Sequence, residues 1–141
     1  MRFIRNLFGW PVTLLAALIS SVLWFGSNFG GAIVGAYLPV VAGTRITRIE
    51  QVDEYNTRIW GTSLKIRNCN FSHLEWYIGT PDANAPADIL FEESTKQRND
   101  GSFSFGPWVV HLTPDEIKGR SYAVVYHRCH PFWLTESRFY P

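Results

Sequence analysis

The sequence predicts a mainly β protein: an N-terminal transmembrane helix followed by a small antiparallel β-sandwich or barrel-like domain with one short helix. Three observations predict it. No charged residue occurs between Phe8 and Gly43, and Arg2 and Arg5 stand just ahead of that stretch. Beyond Gly43, short runs alternate apolar and polar residues with a period of two, broken by turn residues. One stretch, Thr113-Pro-Asp-Glu116, carries the signature of a helix start. The expected division is a membrane anchor over residues 1–29, a Gly-rich apolar linker over 30–43, and an extracytoplasmic β domain over 44–141.

Within the anchor, Leu7–Phe29 is apolar and long enough to span, since about 20 helical residues cover a hydrocarbon core of roughly 30 Å. Trp10 and the Trp24–Phe25 pair fall near its ends, where aromatic rings favour the headgroup region. Pro11 suits a first helical turn, where its missing N–H costs nothing. Arg2 and Arg5 keep the N-terminus cytoplasmic, so the domain is expected to be periplasmic or extracellular. A cleaved signal peptide shares the basic start and apolar core. Bulky Trp24–Phe25, where a small-x-small site would be needed, argues for an uncleaved anchor.

In the linker, Gly30, Gly31, Gly35 and Pro39 disfavour helix, and Ala32–Ala42 is too short to span. Gly31-x-x-x-Gly35 matches the small-residue spacing of packed membrane helices. It offers a contact through which the chain could oligomerise or join a membrane complex.

After Gly43 the composition changes: all twelve acidic residues lie there, with eleven of the thirteen Lys and Arg. A net charge of +1 with mixed signs lacks the basic stripe that phosphate neutralisation needs, so no nucleic-acid partner is expected. The remaining residues suffice for one small core. Strands are expected at Thr44–Val52, Arg58–Cys69, Leu74–Ile78, Ile89–Phe91, Ser102–Leu112 and Ser121–Cys129. Gly79–Asp88, with two prolines, reads as a loop. Asp100-Gly101 ends Lys96–Gly101 with a hairpin dipeptide, and Gly106-Pro107 requires an edge or a bulge. Thr113 caps a short helix that stops at Gly119. With Ser102–Leu112 counted as two short runs broken at Gly106-Pro107, about seven strands result.

Cys69 and Cys129 are the only cysteines and read as one disulfide in a translocated domain. The rival is a small enzyme or metal-binding module built on His127, Cys129 and His130, a dense cluster without paired zinc spacing. Trp76 follows Cys69 too closely for the strand-C tryptophan of an immunoglobulin domain, so the sandwich is predicted without that family.

No nucleophile elbow, phosphate loop or metalloprotease helix is present, and neither catalysis nor a cofactor is expected. Asp115 and Glu116 are explained by capping, and Glu92–Glu93 by a solvated face. His73 and His111 are isolated in sequence and fit hydrogen-bonded structural roles. Asn70-Phe-Ser72 fits a glycosylation sequon.

Aromatic residues make up 16% of the chain, and the tail Pro131–Pro141 holds Phe132, Trp133, Phe139 and Tyr140. Aromatic side chains anchor interfaces, so these four are the candidate contacts for a protein partner. The competing use of the tail is as a last strand of the domain's own sheet. Function is expected in contacts outside the cytoplasm, as a membrane-anchored accessory or structural subunit.

Overall fold

The computed structural model describes residues 2–92 and 98–141, with burial assigned from Trp10 onward. Glu93 and Lys96, named above, lie outside the described residues. The fold is one long apolar helix, two antiparallel sheets and one short helix.

Helix α1 runs over Arg2–Tyr37, and strand β1 opens at Val41. The helix therefore continues through most of the segment expected to be a linker, leaving only Leu38–Val40 as connection. Each helical glycine costs about 1 kcal/mol against alanine. Burial of Gly31 and Gly35 against the domain offsets that cost, a gain that local propensity cannot report. Trp10–Tyr37 has mean hydropathy 1.6 and is long and apolar enough to cross a membrane.

The first sheet has the order β1–β2–β6–β5, with β1 Val41–Gln51, β2 Thr57–Lys65, β5 Ile89–Phe91 and β6 Gly101–Val110. The second has the order β4–β3–β7–β8, with β3 Asn70–Thr80, β4 Ala83–Ala87, β7 Ser121–Arg128 and β8 Thr135–Tyr140. Two expectations are corrected here. The loop expected at Gly79–Asp88 contains β4, joined to β3 by a tight turn at Pro81-Asp82, with Gly79 at φ +108° in the ladder just before it. Pro86 is tolerated because β4 is an edge strand. Strand β2 ends at Lys65, short of Cys69. Cys69 thus sits in the β2–β3 connection, free of strand parity, and turns inward.

Pro107 lies inside a central strand at a register shift, beside Gly106 at φ +100°. That is the bulge the Gly-Pro pair called for. Helix α2 (Pro114–Gly119) carries the full capping box: Glu116 N–H donates to Thr113 Oγ1, and Thr113 N–H donates to Glu116 Oε2.

Between the sheets lie Ile59, Leu74, Trp76, Phe105, Val110, Ile117, Ala123, Val125 and Phe139. Phe105, Trp108 and Phe139 form a ring cluster with centroids 4.5–5.7 Å apart. Trp76 satisfies its indole N–H on Ser121 Oγ at 3.0 Å. The outer face of the first sheet is charged: Arg48 lies 4.6 Å over the Trp60 ring, and Arg58 pairs with Glu92 at 2.9 Å.

Candidate functional site

The site grows from the junction of α1 and β8. A Cβ on Gly35 would fall inside the carbonyl oxygen of Glu136, and one on Gly31 inside that of Leu134. Only glycine admits this approach of helix to strand. Farther down the helix, a Cβ on Gly30 would meet the Trp133 ring at 3.0 Å, and one on Gly26 at 3.4 Å. Positions 26–30, 31 and 35 thus meet residues 133, 134 and 136 in the same order. Helix and strand run parallel, so β8 climbs away from the end at which the apolar helix enters. Val40 N–H donates to Ser137 Oγ at 2.9 Å, and Arg67 Nη1 donates to the Leu38 carbonyl at 2.9 Å, closing the junction. The spacing expected to meet a second membrane helix is, in this structure, filled by the chain's own strand.

Beside the junction, the outward positions of β3, β7 and β8 form one face. Its groove is lined by Ala32, Ala36 and Pro39 from the helix side and by Tyr77, Tyr122, Val124 and Tyr126 from the sheet. Alternation builds it: Leu74, Trp76 and Ile78 point inward, so His73, Glu75 and Tyr77 point outward. Tyr77 stacks on Tyr122 at 5.1 Å, and His73 stacks on Tyr126 at 4.4 Å.

Tyr77 Oη donates to Glu75 Oε2, and this bond pushes the phenol up to about 12. Burial, then the charges of Glu75 and Glu136, raise Tyr126 further. Burial, then Glu75, raises Glu136 above the usual carboxylate range. The face is aromatic, with the carboxylates of Glu75 and Glu136 as acceptors.

The residues singled out from sequence are dispersed. Cys69 and Cys129 are joined in a disulfide, with Cα atoms 4.8 Å apart. The metal-binding alternative thereby loses its thiolate. His127 turns into the interior, where burial and then Lys65 push it down to about 4, and its Nδ1 has no hydrogen-bond partner among the described residues. His130 lies flat on the Trp133 ring at 4.1 Å. No three His, Cys, Asp or Glu side chains among the described residues form a group that could hold a metal ion. His111 Nδ1 lies 3.1 Å from Asn56 Oδ1, and His73 Nδ1 lies 3.0 Å from Ser72 Oγ.

The four aromatic contact candidates divide. Phe139 is 4% exposed and belongs to the core, and Tyr140 packs on Trp76 at 5.6 Å. Both are corrections to a partner-facing tail, because β8 pairs with β7 as an integral strand. Trp133 packs on α1, and Phe132 alone is freely exposed, at 67%. Glu75, Tyr77, Tyr122, Tyr126 and Glu136 were not singled out from sequence. The period-two pattern marks Glu75 and Tyr77 as outward, but nothing local brings β7 and α1 beside them.

No family model, no curated protein and no solved structure matches this chain.

Proposed function

We propose that this chain is a single-pass membrane-anchored protein that presents its β domain to a protein partner outside the cytoplasm, as an accessory or structural subunit of a membrane or envelope complex. The observation that carries the reading is the glycine-mediated seating of α1 on β8. It makes the anchor and the domain one continuous body and holds the tyrosine groove at a set height above the bilayer. Tyrosines in a partly apolar groove are among the residues enriched at protein interfaces. We assign the protein no turnover, and His127 and His130 no chemistry.

Topology is tested by C-terminal fusions: alkaline phosphatase should be active, and a fluorescent reporter that needs the cytoplasm should be dark. The contact is tested by a photo-crosslinking amino acid at Val124, in the groove, against one at Thr62, on the outer face of the first sheet. A single adduct of defined mass from Val124, lost on Tyr77→Ala and absent from Thr62, supports the reading. Equal labelling from both positions, or none from Val124, removes it.

A further inference from the structure

The connection between β7 and β8, Cys129–Leu134 (Cys-His-Pro-Phe-Trp-Leu), is too apolar for an exposed turn. It is also a built shape. Cys129 is pinned to Cys69, His130 stacks on Trp133, and Phe132 N–H donates to His130 Nδ1 at 3.3 Å. Trp133 is braced on Gly26 and Gly30, which leaves Phe132 projecting beside it.

The depth of this loop follows from the parallel course of helix and strand. If the hydrocarbon core takes about 20 residues counted from Leu7, it ends near Gly26, the level at which Trp133 lies. Trp24, Phe25 and Phe29 cluster on one side of the helix there, all exposed. A mainly apolar cleft lined by Ser20, Ser21, Val22, Trp24, Phe25, Gly26 and Trp133 runs from the loop down the helix. Exposed Arg128, at the end of β7, stands at the same end of the domain.

We propose that Cys129–Leu134 is an interfacial foot that enters the headgroup–acyl boundary of the bilayer crossed by α1. Phe132 inserts among the first acyl carbons, Trp133 sits at the boundary, and Arg128 meets lipid phosphates. The occupant of this surface is phospholipid, because its apolar area is continuous with the exposed span. With α1, the foot gives the domain two attachments and removes its freedom to tilt. This rests on the membrane-anchored reading.

The test places a nitroxide on p-acetylphenylalanine at residue 132, at Val22 in the span and at Tyr55 at the exposed β1–β2 turn, in the full chain in phosphatidylcholine/phosphatidylglycerol nanodiscs. Labelled chains are kept only where near-UV circular dichroism matches the unlabelled protein. The ratio of oxygen to nickel-chelate collisions reports depth. The expected ratio at 132 is several-fold above that at Tyr55 and approaches that at Val22. A ratio at 132 equal to Tyr55, with Val22 in lipid, overturns the foot and leaves the anchor. Water-like ratios at all three positions overturn the anchor as well.

Discussion

The two parts of α1 differ both in composition and in surroundings. Below the level at which Trp133 meets Gly26, the large apolar side chains face outward: Trp10 is 74% exposed, and Leu14, Leu18 and Val22 are all exposed. Over residues 30–37 the helix is seated, and its buried positions are Gly31 and Gly35. Small residues mark where backbone meets backbone, and the large apolar ones lie along the part of the helix that is exposed and apolar enough to cross a membrane. Glycines therefore serve the junction, and leucines the exposed apolar part of the helix.

That contrast requires a domain end firm enough to receive the helix, and the strongest perturbation should be loss of its staple. Cys69 and Cys129 close a loop of sequence separation 60 at the end where β7 runs into the foot. Replacing both with Ser should lower domain stability by about 4 kcal/mol on the loop-closure model. Denaturant unfolding of the full chain in detergent, followed by near-UV circular dichroism, checks it. A loss below about 1 kcal/mol would mean that the junction, and not the bond, holds that end.

The second effect lies behind the same end. Lys65 and His127 are both buried there, 3% exposed each. His127 is held near 4 in the folded chain against an ordinary value of 6.5. The unfolded chain then binds the extra proton between these values, so stability falls as pH drops from about 6.5 to 4. The contribution of this group is on the order of 3 kcal/mol across that window. His127→Leu should flatten the pH dependence by that amount, measured as the difference in unfolding free energy between pH 7 and pH 4. An unchanged slope would place the acid sensitivity elsewhere.

What was legible in the sequence follows the range of each interaction. The long apolar helix, the capping box at Thr113, the bulge at Gly106-Pro107 and the alternation in β2, β3 and β7 are written within a few residues of one another, and the structure contains them all. The helical state of residues 30–37 was not legible, because Gly31 and Gly35 gain their stability from a strand a hundred residues away. For the same reason the sequence left Phe139 and Tyr140 between a partner-facing tail and a last strand: only the pairing of β8 with β7 decides, and it turns them inward. Strand β4 escaped because Ala-Asn-Ala-Pro-Ala has turn chemistry and low strand preference, and its partner β3 imposes the ladder. The tyrosine groove joins three segments remote in sequence, so no local pattern announces it.

The junction itself is tested by bulk. Gly35→Val places a branched side chain against the backbone of Glu136, where there is no room. The helix must lift or the strand must shift, at roughly 1–3 kcal/mol for overpacking. Helix–domain undocking can be read separately from unfolding, as a widened distance distribution between nitroxides on p-acetylphenylalanine at Ala32 and Thr80. A variant with unchanged distance and unchanged stability would show that the close approach is not needed.

The smallest effect belongs to the other part of the same helix, and it completes the comparison. Leu18 is 63% exposed on a face that no part of the domain covers. Leu18→Ile keeps the apolar area that a bilayer requires and changes only branching, which a fluid lipid chain accommodates where a packed protein neighbour would not. Domain stability should move by less than about 0.5 kcal/mol, the range of substitutions that touch no packed neighbour, and membrane recovery after alkaline extraction should be unchanged. The same one-methyl rearrangement in a protein core is felt, so the variant reads out what surrounds the span. A shift above about 1 kcal/mol at Leu18 would mean that the span packs against protein, and the division of α1 into a lipid-facing part and a docked part would then have to be given up.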